Sequence, residues 1–207
     1  MNRHVPHLSR EARLERLLNA AGDLVTESGI NAVTMTAIAE RSGVSRQWLH
    51  EFFPDVESIY IALYLQYRTD FIVDEPIEIR NIGDLEHQTT TECLALLDLP
   101  VASAIILSYA LNSVGRESST SGRPSLREVF MANLDARYVQ PLVEVGYDRD
   151  EVTATVLTIV NMSLGLVMAS RDGQIDRAVT AKRMVDVLRA VINDTVRTPR
   201  PLEFLVD

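Results

Sequence analysis

Apolar residues recur at helical spacing along most of the chain. In residues 11–29, Leu14, Leu17, Leu18, Ala21, Leu24 and Val25 share one stripe among Arg, Glu and Asp, and Gly29 closes the stretch. A short helix follows with Ile38 and Ala39 as its apolar side, then a second with Leu49, Phe52 and Phe53, stopped by Pro54. Asp55 is placed to cap a connecting helix reaching about Thr69, with Ile59, Leu63 and Leu65 along it and Tyr60, Tyr64 and Tyr67 at helical spacing. The pattern breaks over 70–83, where Asp74-Glu75-Pro76 and Asn81-Ile82-Gly83 signal turns. Helix five is expected over 84–97 and helix six over 100–115, the latter apolar almost all round and so expected at the centre of a body. RESSTSGRP, residues 116–124, reads as an exposed mobile loop. Helix seven starts at Ser125 and Pro141 is expected to kink or break it. Helix eight spans 150–170 behind an Asp148/Glu151 capping pair, Asp172-Gly173 ends it, and helix nine runs over 176–197. Pro199 and Pro201 finish the chain. No alternating strand pattern and no internal repeat interrupts this, so the expected class is all-α.

The stretch TMTAIAERSGVSRQWLHEFF, residues 34–53, carries most of the information. Thr34 can cap the first short helix by accepting a backbone N–H, Ser42-Gly43 ends it, Val44 plugs the turn and Ser45 caps the next helix. Short helix, Gly-containing turn and a helix that opens with contact-capable side chains is the helix-turn-helix pattern. In it the second helix enters the major groove of DNA. The same spacing also occurs in plain helical hairpins.

With its flanks, RLLNAAGDLVTESGINAVTMTAIAERSGVSRQWLHEFFPDVESI, this segment resembles the TetR family of transcriptional regulators, specifically from roughly Arg13 to Ile59. The resemblance implies a three-helix DNA-binding head over 1–53 and, over 54–207, a helical body for dimerisation and regulation. It implies DNA contacts from Thr34, Thr36, Ser45, Arg46, Gln47, Trp48 and His50, with Arg46 and Gln47 as base readers. His50 stands where the family usually has a Tyr, and Val56 where a Lys commonly meets the DNA backbone, which implies fewer phosphate contacts. The family dimer interface falls on helices eight and nine, whose apolar character suits a four-helix bundle with a second copy. The function implied is a repressor released from a palindromic operator by a small molecule. An effector-independent DNA-binding dimer is the alternative, with a small all-α enzyme a more distant one.

Charge changes this picture only in detail. The formal net charge is −9. Residues 1–53 hold six Arg (3, 10, 13, 16, 41, 46) against six acidic residues, so the rest of the chain carries all the excess. An acidic body beside a neutral head favours one docking orientation on DNA. Arg3, His4 and His7 lie in an arm expected to be flexible. Cys93 is the single cysteine, which excludes a disulfide within the chain and points to a reducing cytoplasm. The opening MNRHVPHLSR lacks an apolar core, so no signal peptide is expected. Polar residues every few positions in 152–170 argue for a buried helix over a membrane span.

Catalytic patterns are missing: the sequence has no phosphate-binding Gly-rich loop, nucleophile elbow or His–Glu metal pair. No cofactor, metal or enzymatic activity is expected. The body does carry polar residues in apolar helices, and Tyr64, Thr89, Tyr109, Asn112, Asn161 and Met162 are the candidates for a mostly apolar effector site, with Ser103, Ser108 and Met168 in the same pattern. Hydrogen bonds within or between helices account for the same residues.

Overall fold

The computed structural model describes residues 9–71, 78–113 and 122–196. Expectations for the arm 1–8, for most of the 116–124 loop and the 70–83 break, and for the end of the chain with Pro199 and Pro201 fall outside them. Ten α-helices run through the described residues: α1 (Arg10–Ser28), α2 (Met35–Ser42), α3 (Arg46–Phe52), α4 (Val56–Phe71), α5 (Ile82–Ala95), α6 (Val101–Asn112), α7 (Leu126–Leu134), α8 (Gln140–Glu144), α9 (Arg149–Arg171) and α10 (Arg177–Val196). No strand occurs among them.

Helix boundaries follow local chemistry. Ser9, Thr34, Ser45 and Asp148 each accept hydrogen bonds from backbone N–H groups of the first turn they open, at 3.0–3.2 Å. Pro141, expected to kink or break the seventh helix, disturbs it without ending it. A π-helical turn, Asp135–Val139, links α7 to α8 just ahead of it. A proline has no N–H to donate and its ring crowds the carbonyl four residues back, so a widened turn keeps the helix running.

The chain packs as two compact units, one of residues 1–70 with 100–129 and the other of 71–99 with 130–207. The expected division between 53 and 54 is therefore not a packing boundary, because α4 and α6 join the first unit. Leu17, Val25, Ile38, Leu49, Ile59 and Leu63 are fully enclosed there. Tyr60 Oη donates to the Ile30 carbonyl at 2.6 Å, and its ring meets Tyr109 of α6 edge-on at 5.9 Å. A Cβ on Gly22 would lie 2.9 Å from Tyr67 Oη and 3.9 Å from Ala102 Cβ, so α4 and α6 both approach α1 there and a side chain at 22 would have to displace the Tyr67 hydroxyl. The apolar sixth helix, expected at the centre of a separate body, is instead a partner of α1.

In the second unit α9 and α10 form a hairpin across the 172–176 turn, and α5 lies on α10. Val152, Val156, Ile159, Val167, Met184, Leu188 and Ile192 fill the core with Leu85, Tyr138 and Leu142. Arg171 donates to the Leu99 carbonyl, while Arg177 holds the Leu97 carbonyl at 2.9 Å and Asp98 at 2.7 Å. Cys93 is buried beside Ser163, whose hydroxyl donates to the sulfur at 3.2 Å. Burial pushes the thiol up to about 11 against that hydrogen bond, so Cys93 stays protonated and unreactive at neutral pH.

Arg137 of the π turn pairs with Glu92 of α5, with side chains only 11% and 15% exposed, and Gln88 donates to the same carboxylate oxygen. Removing one member of such a pair strands the other charge away from water. Arg137→Ala is expected to cost about 3 kcal/mol in urea denaturation, whereas Arg137→Met with Glu92→Leu should restore most of that stability.

Candidate nucleic-acid interface

The interface candidate is built on the turn between α2 and α3. Gly43 adopts φ 70, ψ 16, the left-handed conformation, and its N–H returns to the Ala39 carbonyl. Ser42 fastens the end of α2 by donating to the Ile38 carbonyl at 2.7 Å. Ser45 then starts α3, and Leu49, with no exposed surface, anchors it to Ile38 and the α1 core. With Leu49 and Phe53 turned inward, the 100° step of a helix carries Arg46, Gln47, His50 and Glu51 to solvent, as observed. Trp48 and Phe52 occupy one flank, half-buried, with ring centroids 4.5 Å apart.

Of the residues expected to touch DNA, Arg46, Gln47 and His50 thus share one exposed face, and Thr34, exposed at the start of α2, and half-buried Thr36 lie on the preceding helix. Thr34 and Ser45 already use their hydroxyls as caps, which fixes the two helix starts. Arg46 lies 3.7 Å from Glu40, both side chains more than 60% exposed, at 63% and 73%, so water weakens that pairing and the guanidinium is held loosely. Arg41 is committed elsewhere: it grips Glu27 of α1 through two bonds of 2.9 and 2.6 Å. This fork lowers the Glu27 carboxyl below its usual range and raises Arg41.

Trp48 is less available than the sequence implied. Besides Phe52, its ring carries the Arg13 guanidinium 5.7 Å from its centroid, and Arg10 lies 4.6 Å over Phe52. A third α1 arginine, Arg16, has Nη2 3.6 Å from where a Gly43 Cβ would be. Sequence reasoning overlooked these three. Their spacing of three was visible; the element they face was not.

The six candidates for an effector site do not form one constellation. Asn112 and Asn161 are exposed, and their amides donate to the Ser108 and Leu157 carbonyls of their own helices at 2.7 and 2.8 Å. A surface amide satisfied by its own helix does not line a buried site within this chain, and both leave the candidate set on that ground. Thr89 is buried in the second unit and donates to the Leu85 carbonyl at 2.6 Å. Met162 is half-buried. Tyr64 and Tyr109 belong to the first unit. The buried side-chain atoms lacking a hydrogen-bond partner among the described residues are Gln66 Oε1, Ser103 Oγ and Arg171 Nε. Gln66 escaped notice in the sequence because it sits among tyrosines on α4.

Residues 17–63 match the family model described as bacterial regulatory proteins, tetR family. An uncharacterised HTH-type transcriptional regulator of Mycobacterium tuberculosis (strain CDC 1551 / Oshkosh) is 27% identical over 122 residues, which covers 59% of this chain and 62% of that protein. The match thus spans only about three fifths of that relative's length. The HTH-type transcriptional activator FasR of Mycolicibacterium smegmatis is 36% identical over 72 residues, 35% of this chain and 32% of that one. A tetR-family regulator from Streptomyces coelicolor superposes with a TM-score of 0.63 at 21% identity, covering 91% of this chain and 83% of that one. A TetR point variant from Acinetobacter baumannii AYE, solved in complex with minocycline, superposes with a TM-score of 0.59 at 16% identity, covering 92% and 98%. Residues 17–63 thus resemble the tetR family of bacterial regulatory proteins, and the solved structures share the chain's fold.

Proposed function

We propose that this chain is a cytoplasmic, non-enzymatic transcriptional repressor of the TetR family that binds a palindromic operator as a homodimer and leaves it when a small effector binds. The observation that carries the reading is the head itself: a left-handed Gly43 turn with Leu49 buried and Arg46, Gln47 and His50 exposed on one face of α3. Arg suits bidentate pairing with guanine and Gln with adenine in the major groove. Functionally, residues 1–53 act as the DNA-binding part and 54–207 as the regulatory and dimerising part, whichever way the packing units divide.

The dimer is assigned to α9 and α10, the eighth and ninth helices expected from sequence. By length and composition α9 is apolar enough to cross a bilayer, yet only 39% of its apolar window is buried in the single chain. Its inner residues already pack against α10, so a second copy is the natural cover for the remainder. Leu188 and Val191 are not part of that outer surface: Leu188 has no exposed surface, and Val191 packs against the core. Val179, 54% exposed on α10, and Thr158, exposed on α9, are.

The effector reading rests on the unpartnered Gln66 Oε1 and Ser103 Oγ on two helices of the first unit, with Tyr64 and Tyr109 on the same helices. An acceptor and a hydroxyl in apolar surroundings suit a neutral, largely apolar ligand with one or two hydrogen-bonding groups. An effector-independent dimer is the second reading.

Selection of random duplexes with purified protein should return an inverted repeat with half-sites about 34–36 Å apart or a multiple. Arg46→Ala should then cost about 1–3 kcal/mol on that operator and relax preference at one base position; equal binding of operator and scrambled duplex by wild type and variant would refute base reading. Thr158→Glu with Val179→Glu should give a folded monomer by sedimentation with weakened operator binding. A wild type that is monomeric yet binds tightly would remove the dimer. Any compound that raises the melting temperature should lower operator affinity, and operator should weaken that compound's binding by the same factor, with a coupling of about 1–3 kcal/mol. Ser103→Ala should reduce the compound's effect. Stabilising compounds that leave operator affinity unchanged would leave the effector-independent dimer.

A further inference from the structure

We propose that Arg10, Arg13 and Arg16 form a second DNA-contacting element, a row of guanidinium groups on α1 that tracks the phosphate backbone beside the recognition helix. The inference rests on the DNA-binding reading and extends it to a helix that carries none of the expected contacts.

Three observations point to the row. At about 100° per residue, Arg10, Arg13 and Arg16 step round the first two turns of α1 by about 60° each, with Arg10 and Arg16 exposed and Arg13 half-buried. The row also runs along the motif that meets DNA: Arg10 over Phe52 at the end of α3, Arg13 over Trp48, and Arg16 beside the Gly43 turn. Finally, Arg10 and Arg13 rest on aromatic faces. A guanidinium on a ring keeps its full charge while its direction is fixed, which lowers the ordering cost of meeting a phosphate. Arg41, on the neighbouring helix, is bound in a two-pronged grip by Glu27 and is not part of the row.

The arrangement assigns Trp48 a different task from base contact. Its ring is the platform that sets Arg13 beside α3, and through Phe52 it continues to Arg10. Because phosphates are the same at every step of the duplex, the row contributes affinity and salt dependence but little sequence preference.

The experiment measures operator affinity between about 50 and about 200 mM salt for wild type, for the triple variant Arg10→Gln, Arg13→Gln, Arg16→Gln, and for the triple Lys variant of the same positions. For every phosphate no longer neutralised the logarithmic salt slope should flatten by about 0.9, so the Gln variant should be flatter by about 2–3 with its operator-to-scrambled ratio kept within about 2-fold. The Lys variant, which keeps the charge, should retain most of the slope. A purely structural role for the stacked rings would instead make Lys and Gln equally damaging. The chain's single Trp is Trp48, so its fluorescence should change on adding duplex and change less in the Gln variant. Should the triple Gln variant fail to melt cooperatively, Arg16→Gln alone, whose guanidinium borders the turn, supplies the slope change of about 0.9. A folded Gln variant with the wild-type slope overturns the row. A wild type that binds no duplex at any salt overturns the DNA-binding reading itself.

Discussion

The left-handed backbone at Gly43 is the constraint on which the candidate interface depends. A residue with a Cβ pays roughly 1–2 kcal/mol to sit in that region, and the position also adjoins Arg16. Because Gly43 reverses the chain in so few residues, α2 packs on α1 and α3 packs on α2, with Ile38 and Leu49 both fully buried. The burial of Leu49 in turn decides the rotation of α3, and the rotation decides that Arg46, Gln47 and His50 face outward together. One backbone angle thus orders the chain of consequences from local geometry to a usable surface.

What sequence made legible was whatever is decided within a few residues. Thr34, Ser45 and Asp148 cap the helices they were expected to cap, since a cap requires only a hydroxyl or carboxylate three positions from a free N–H. The all-α class and the long hairpin of the last two helices were equally readable, because periodicity and turn residues agree. Contacts between distant segments were not. The apolar face of α6 has no address in its own sequence, and only the fold shows that it packs on α1. Trp48 looked like a reading side chain because it lies at the start of α3; only the position of α1 reveals the guanidinium beside it. At Pro141, ring chemistry announced a disturbance, but whether the chain breaks or widens is settled by the packing of Tyr138, Val139 and Leu142 into the second core.

Several buried polar groups of the second unit are partnered, although Arg171 Nε is not. In the second unit Glu92 serves Arg137 and Gln88, Ser163 serves Cys93, and Thr89 turns back on its own helix. Such groups specify an arrangement and resist change, because breaking one leaves a buried partner unsatisfied. In the first unit Gln66 and Ser103 bury an acceptor and a hydroxyl without a partner. Each imposes a desolvation cost of about 1–3 kcal/mol that a suitable ligand would offset. The presence of two such atoms on α4 and α6 is why the proposed effector reading is placed there and not around the satisfied Arg137–Glu92 pair.

That placement also gives the proposed release a short mechanical route. α4 and α6 meet α1 at Gly22, where Tyr67 and Ala102 close on a residue with no side chain. A shift of α1 would carry Arg10, Arg13 and Arg16 with it, and they lie against Phe52, Trp48 and the Gly43 turn. A ligand that binds better when Tyr67 is displaced would therefore bias the recognition helix without touching it. The coupling needs no wire across the molecule, only differential affinity for two arrangements of helices packed in one unit. Gly22, invisible as a functional residue in the sequence, is the place where Tyr67 of α4 and Ala102 of α6 come up against α1.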